Sequence, residues 1–149
     1  MNAQSGAGGL PWLFPFLFLA VFLLVMFLLS AMSGWRRLAH QYRAHGPAPA
    51  SRRYLCWGQM GPVYFRNCLT VGGDERGLYL AVFLPFRLFH PPLLIPWSEL
   101  HGRVQERLIF TTCDTFEVGP DRVRVRIRSR NLERFDSYFL ATSQGPSRS

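Results

Sequence analysis

Arginines recur at every second position from Arg122 to Arg130, in the run RVRVRIRSR. A guanidinium keeps its charge at physiological pH and presents a planar fork of donors, so its chemistry is recognition of carboxylates and phosphates. A strand sends alternate side chains to opposite faces. Arg122, Arg124, Arg126, Arg128 and Arg130 would then line one face over ~26 Å, with Val123, Val125 and Ile127 turned to a core. Beside an anionic leaflet each such cation contributes up to ~1 kcal/mol. The plainer alternative is a solvated face paired with Glu106, Asp114 and Glu117 of a neighbouring strand. Nucleic-acid platforms interleave cations with exposed aromatics, whereas the alternate residues here are aliphatic, so no nucleic-acid partner is expected.

Other polar groups offer less. Ser98, Glu99 and His101 are neighbours along the chain, but a nucleophile and its base must converge in space. The sequence contains no GxSxG, no HExxH and no Gly-rich phosphate loop ahead of a helix. Cys56, Cys68 and Cys113 are odd in number and lack CxxC spacing, as expected of buried, reduced thiols. Four histidines make a poor metal set. No catalytic residue, cofactor or metal is expected, and the chain reads as a binding protein, not an enzyme.

The most distinctive apolar stretch is Phe86 to His101, FRLFHPPLLIPWSELH. Phe86, Phe89, Leu93, Leu94 and Trp97 supply more apolar bulk than a short loop requires, with Arg87 and His90 as polar anchors, a composition that suits a protein-docking surface. The alternative is a structural bend in which prolines block edge pairing and the aromatics close a barrel.

These groups need a scaffold, and its first element is the run Leu10 to Met32, which carries no charge. At 1.5 Å per residue it reaches ~34 Å, enough to cross a hydrocarbon core of ~30 Å. Trp12 and Trp35 bracket it as interfacial aromatics do. A secretory signal would need a basic start and a shorter apolar run. No Arg precedes the segment, whereas Arg36, Arg37, Arg43, Arg52 and Arg53 follow it. The positive-inside rule therefore expects the N-terminus outside and the remainder in the cytoplasm. All 17 basic residues are arginine and the formal net charge is +8, which makes anionic lipid the nearest partner of a tethered domain.

Residues 1–9 read as a disordered tail, 10–32 as a transmembrane helix, and 33–50 as its basic extension followed by a Pro/Ala linker. Residues 51–141 read as one domain and 142–149 as a second disordered tail. Within the domain, strands are expected at Tyr54–Met60, Val63–Val71, Leu78–Phe86, Leu93–Leu100, Arg107–Thr112, Thr115–Val118 and Arg122–Arg128. Turns are expected at Gly72-Gly73-Asp74 and near Cys113-Asp114. A helix over Asn131–Ala141 places Leu132, Phe135, Tyr138 and Phe139 on one face, with Asn131 as N-cap. The fold class is mainly β with α: a transmembrane helix, then a small barrel or sandwich of six or seven strands capped by a helix.

Strands closed by one C-terminal helix resemble the pleckstrin-homology (PH)-like superfold. Gly77-Leu78-Tyr79-Leu80, followed by Ile95-Pro96-Trp97-Ser98-Glu99-Leu100, is similar to the GRAM-type strand pattern. The whole chain resembles short bacterial membrane proteins with one transmembrane helix and such a domain. The resemblance implies a single-pass protein of the bacterial inner membrane that binds lipid or protein without catalysis. Lipid-binding members carry a basic pocket between the first two strands. The corresponding loop here, Gln59-Met60-Gly61-Pro62, has no basic residue, which favours an adaptor with a protein partner. Recognition of anionic phospholipid by the 122–130 strand together with Arg36, Arg37 and Arg43 is the alternative.

Overall fold

The computed structural model describes residues 11–143, so the tail expected at 1–9 and most of that expected at 142–149 lie outside the described residues. The uncharged run forms one helix, α1 (Leu13–Met32), with a mean hydropathy of 2.8 over its most apolar window. Its ~30 Å is long and apolar enough to cross a membrane, and only 6% of that window is buried within the chain. The helix does not run on into the basic segment. Gly34 takes the left-handed conformation (φ 78°) that ends α1, and a second helix, α2 (Trp35–Tyr42), sets off from it. A Cβ at Gly34 would lie 3.1 Å from a Val123 methyl, so the turn is pressed against the domain.

Seven antiparallel strands follow: β1 (Arg52–Met60), β2 (Val63–Asp74), β3 (Gly77–Val82), β4 (Leu93–Ile95), β5 (Leu100–Leu108), β6 (Thr111–Val118) and β7 (Val123–Arg128). They form a single curled sheet, a half-barrel, in the order β4-β3-β2-β1-β7-β6-β5. Two meanders, β1 to β4 and β5 to β7, are thus joined where β1 pairs with β7 over Gly58–Met60. The alternation in β7 works as the period-2 argument expects: Val123, Val125 and Ile127 are buried between exposed or half-exposed arginines.

The chain ends in α3 (Ser129–Leu132), a 3-10 turn (Glu133–Phe135) and α4 (Asp136–Ser143). The helix therefore starts two residues earlier than expected and is interrupted. Asn131 lies inside it and, instead of capping it, accepts a hydrogen bond from Arg53. Trp97 seals this end by stacking on Tyr138 at 5.5 Å and meeting Phe139 at 4.8 Å. Its indole N–H donates to the Asp74 carbonyl at 2.8 Å.

Several boundaries differ from expectation for identifiable reasons. Gly72 and Gly73 do not form a turn but lie within β2. A Cβ on Gly73 would approach Phe135 and Trp97 to 3.1 Å, so these glycines mark close packing. The reverse error occurs at Arg107–Thr112, where an apolar, β-branched run hides a hairpin turn. Ile109 and Phe110 form its tip, 91% and 98% exposed. Cys113 and Asp114, expected near a turn, are buried in β6. The strand expected over Leu78–Phe86 stops at Val82, and Pro85 sits in a 3-10 turn. The strand expected over Leu93–Leu100 shortens to Leu93–Ile95 ahead of a second such turn, Trp97–Glu99.

Candidate functional site: the junction of helix and sheet

Trp35, expected at the membrane interface, is 0% exposed. Its ring packs on Phe65 and His90 at 5.6 and 5.4 Å, and its N–H donates to the Pro91 carbonyl at 2.8 Å. Leu38, one turn on, is also in the core. The segment 33–50 is thus not merely an extension of α1, since α2 supplies core residues to the sheet. Its far end is tied by the Tyr42 hydroxyl, which donates to Glu99 at 3.1 Å, and by the Ala44 N–H, which donates to the Pro92 carbonyl.

The stretch read as a docking surface is spent largely on this junction. His90, Leu93 and Trp97 are buried, Phe86, Phe89 and Leu94 are half-buried, and only Arg87 is exposed among the seven expected contact residues. Phe86 and Phe89 turn toward α1, at 6.3 Å from Phe22 and 6.0 Å from Phe27. The Ser30 hydroxyl, buried on α1, donates to the Phe89 carbonyl at 2.6 Å. In the structure this stretch forms a bend packed against the apolar helix α1. Ser30 carried a weak signal, as an isolated hydroxyl in an otherwise apolar run.

His90 is an ionisable side chain buried in this junction. It is 1% exposed, with Nδ1 3.0 Å from the Phe86 carbonyl and Nε2 buried without a hydrogen-bond partner among the described residues. Burial pushes its pKa below the ordinary 6.5, against the smaller upward pull of the Phe86 carbonyl. The unfolded chain takes up a proton near 6.5, whereas the folded chain resists until lower pH. Stability therefore falls as pH drops through 6.5 and levels off below the folded pKa. Denaturation midpoints at pH 7 and pH 5 should separate more for the native chain than for His90→Phe. Equal separations would remove His90 as the cause.

The five arginines of the 122–130 run do not form one ladder. Arg124, Arg126 and Arg128 share the outer face of β7, Arg122 is a turn residue at φ 47°, and Arg130 belongs to α3. Arg126 is spoken for, bonding Glu106 at 2.6 Å and Thr115 at 3.2 Å, while Arg122 lies 3.7 Å from Glu117. Asp114 is not on this face. Its carboxylate points inward to Arg103 at 2.6 Å and accepts from the Ser129 hydroxyl at 2.9 Å. Arg103 also reaches Asp136 at 2.8 Å and covers the Phe139 ring at 4.4 Å, a network the sequence pattern did not mark.

The arginines in and just after α2 differ. Arg36 and His40, four residues apart, share one face of α2, and Arg43 follows as its extended C-cap, bridged to Leu93. They line a cleft of about 360 Å³ with Phe27 of α1, Ala39, and Leu88, Phe89 and Pro91 of the bend. Arg36 stacks over Phe27 at 4.9 Å, and neither Arg36, Arg37 nor Arg43 has a carboxylate partner among the described residues. Open guanidiniums above an apolar floor can hold a group that is anionic at one end and apolar at the other. Elsewhere, His101 lies 3.9 Å from Glu99, whose carboxylate already accepts from Tyr42. Comparison with protein-family models, curated proteins and solved structures returned no match.

Proposed function

We propose that this chain is a non-catalytic, single-pass module of the bacterial inner membrane. Its N-terminus is outside and its PH-like domain meets anionic phospholipid at the cytoplasmic surface. The orientation rests on the arginines that follow α1, with none before it among residues 1–32. Seven antiparallel strands with a helix at the C-terminus support the PH-like reading. The observation that carries the ligand is the cleft at the end of α1 that Arg36, His40 and Arg43 line with Phe27, Leu88 and Phe89, its guanidiniums without a carboxylate partner among the described residues. A phosphodiester would meet the cations while its acyl chains lie along the aromatics.

The test uses the full-length chain in zwitterionic micelles, with bound phosphatidylglycerol counted by native mass spectrometry. Retention should exceed that of phosphatidylcholine and fall steeply with salt. It should drop at least tenfold in the Arg36→Glu/Arg43→Glu variant, since each cation near a headgroup surface is worth roughly 1 kcal/mol. Arg124→Glu/Arg128→Glu should change it little; the opposite ranking would move the lipid site to β7. A second reading, a protein partner, is favoured by the hairpin tip, where Ile109 and Phe110 are the most exposed large apolar side chains among the described residues. The tip sits at the far end of β6 from Val118, ~25 Å of strand from the α1 junction. That reading expects binding that survives salt and the α2 substitutions but is lost in Phe110→Asp.

A further inference from the structure

We infer that the bend Phe83–Phe89 is itself immersed in the bilayer, a second lipid-contacting element beside α1 whose occupant is the acyl region of the adjoining leaflet. This rests on the proposal that α1 spans the membrane. The first observation is height. Phe86 packs on Phe22 and Phe89 on Phe27, which lie ten and five residues before the end of α1 at Met32. At 1.5 Å per residue these contacts fall ~15 and ~7.5 Å back along the helix from its domain end. In a hydrocarbon core ~30 Å thick, a loop touching α1 at those levels lies within the apolar layer.

The second observation is surface chemistry. Leu84 and Leu88 are 70% and 71% exposed, and Phe83 is more than half exposed, so the outer face of the bend continues the apolar surface of α1. The third is the backbone. A lipid-exposed loop must satisfy its polar groups internally. Part of the bend meets this demand: the Phe83 N–H donates to the Cys68 carbonyl, Phe86 to Phe83, Arg87 to Leu84 and, just beyond, His90 to Arg87, at 2.7 to 3.2 Å, whereas the Leu84, Leu88 and Phe89 N–H groups have no such acceptor among the described residues. Pro85 has no N–H to satisfy. Arg87 is the single charge, and its long stem lets the guanidinium reach back to the headgroups. The Ser30 hydroxyl satisfies the Phe89 carbonyl from α1.

The experiment uses full-length protein in phosphatidylethanolamine/phosphatidylglycerol vesicles, with nitroxide labels at Leu84→Cys and Leu88→Cys. Leu24→Cys in α1 and Phe110→Cys at the hairpin tip serve as references. Unsubstituted chain supplies the background, because Cys56 and Cys113 are buried and Cys68 is half-buried. Labels at 84 and 88 should be relaxed by oxygen and shielded severalfold from a water-soluble nickel chelate, as at position 24, with the reverse at 110. Nickel access at 84 and 88 with position 24 shielded would overturn the immersed bend and leave the anchor standing. Nickel access at 24 as well would bring down the anchor and the bend together. Shielding of 84 and 88 from both reagents would mean that protein covers the bend, which also overturns the inference.

Discussion

Trp35→Ala is expected to cost the domain about 3–5 kcal/mol, the usual toll for emptying a buried aromatic site, while Trp12→Ala leaves its stability unchanged. The two tryptophans bracket the apolar run symmetrically in sequence, but Trp12 is 76% exposed and Trp35 is sealed between Phe65 and His90. Removing the indole opens a cavity and strips the Pro91 carbonyl of its donor. Trp35→Phe keeps most of the packing and loses chiefly that hydrogen bond, a cost of about 1 kcal/mol. Since a domain holds only ~5–15 kcal/mol in total, the alanine variant should be proteolysed within the sheet under conditions that spare the native chain. The same reasoning applies to truncation. A fragment starting at residue 51 lacks Trp35 and Leu38 and should be poorly folded, whereas one starting at residue 33 retains both. Equal urea midpoints for the two fragments would show that α2 contributes nothing to the core.

Arg103→Met is expected to be nearly as damaging. Asp114 has no exposed side-chain surface and is held by Arg103 and Ser129 alone among the described residues. Without the guanidinium a buried carboxylate keeps one hydroxyl, and breaking a buried pair from one side costs about 3–5 kcal/mol. Arg103 is partly exposed, which places the effect toward the lower end. Replacing both partners, Arg103→Met with Asp114→Leu, should recover most of the loss because no fully buried charge is then stranded; Asp136, which also loses Arg103, is partly exposed. The measurement is a double-mutant cycle by urea denaturation of the full chain in micelles; additive losses would mean the pair is not coupled. Arg103 also bonds Asp136 and covers Phe139, so its loss should loosen α4 before the rest of the sheet. Faster amide exchange over Asp136–Phe139 would report that order of events.

The expected and observed boundaries diverge most where one residue type serves two ends. Glycine ends strands in turns, yet Gly72 and Gly73 are small because Ser51, Trp97 and Phe135 come close to their backbone. Isoleucine and phenylalanine favour strands, yet Ile109 and Phe110 make a turn because the strands on either side pair with each other. The aromatics of Phe86–Trp97 mark an apolar surface without saying what covers it. The fold spends Trp97 on the C-terminal helix, His90 on Trp35, and Phe86 and Phe89 on α1.

Sequence alone determined whatever depends on neighbours along the chain. The uncharged run gives a helix of membrane-crossing length, the alternation in 123–128 gives a strand with one buried face, and the excess of β-favouring segments gives a β-rich domain with helices at its ends. These follow from local periodicity, which one element expresses by itself. Tertiary structure decided which of several arginines are left free and which apolar side chains remain outside. It paired Arg126 with Glu106, turned Asp114 inward to Arg103, placed Trp35 in the core, and left Arg36 and Arg43 open beside α1. Pairing energies and burial depend on residues 11 to 56 positions apart meeting in space, and no spacing along the chain encodes that distance.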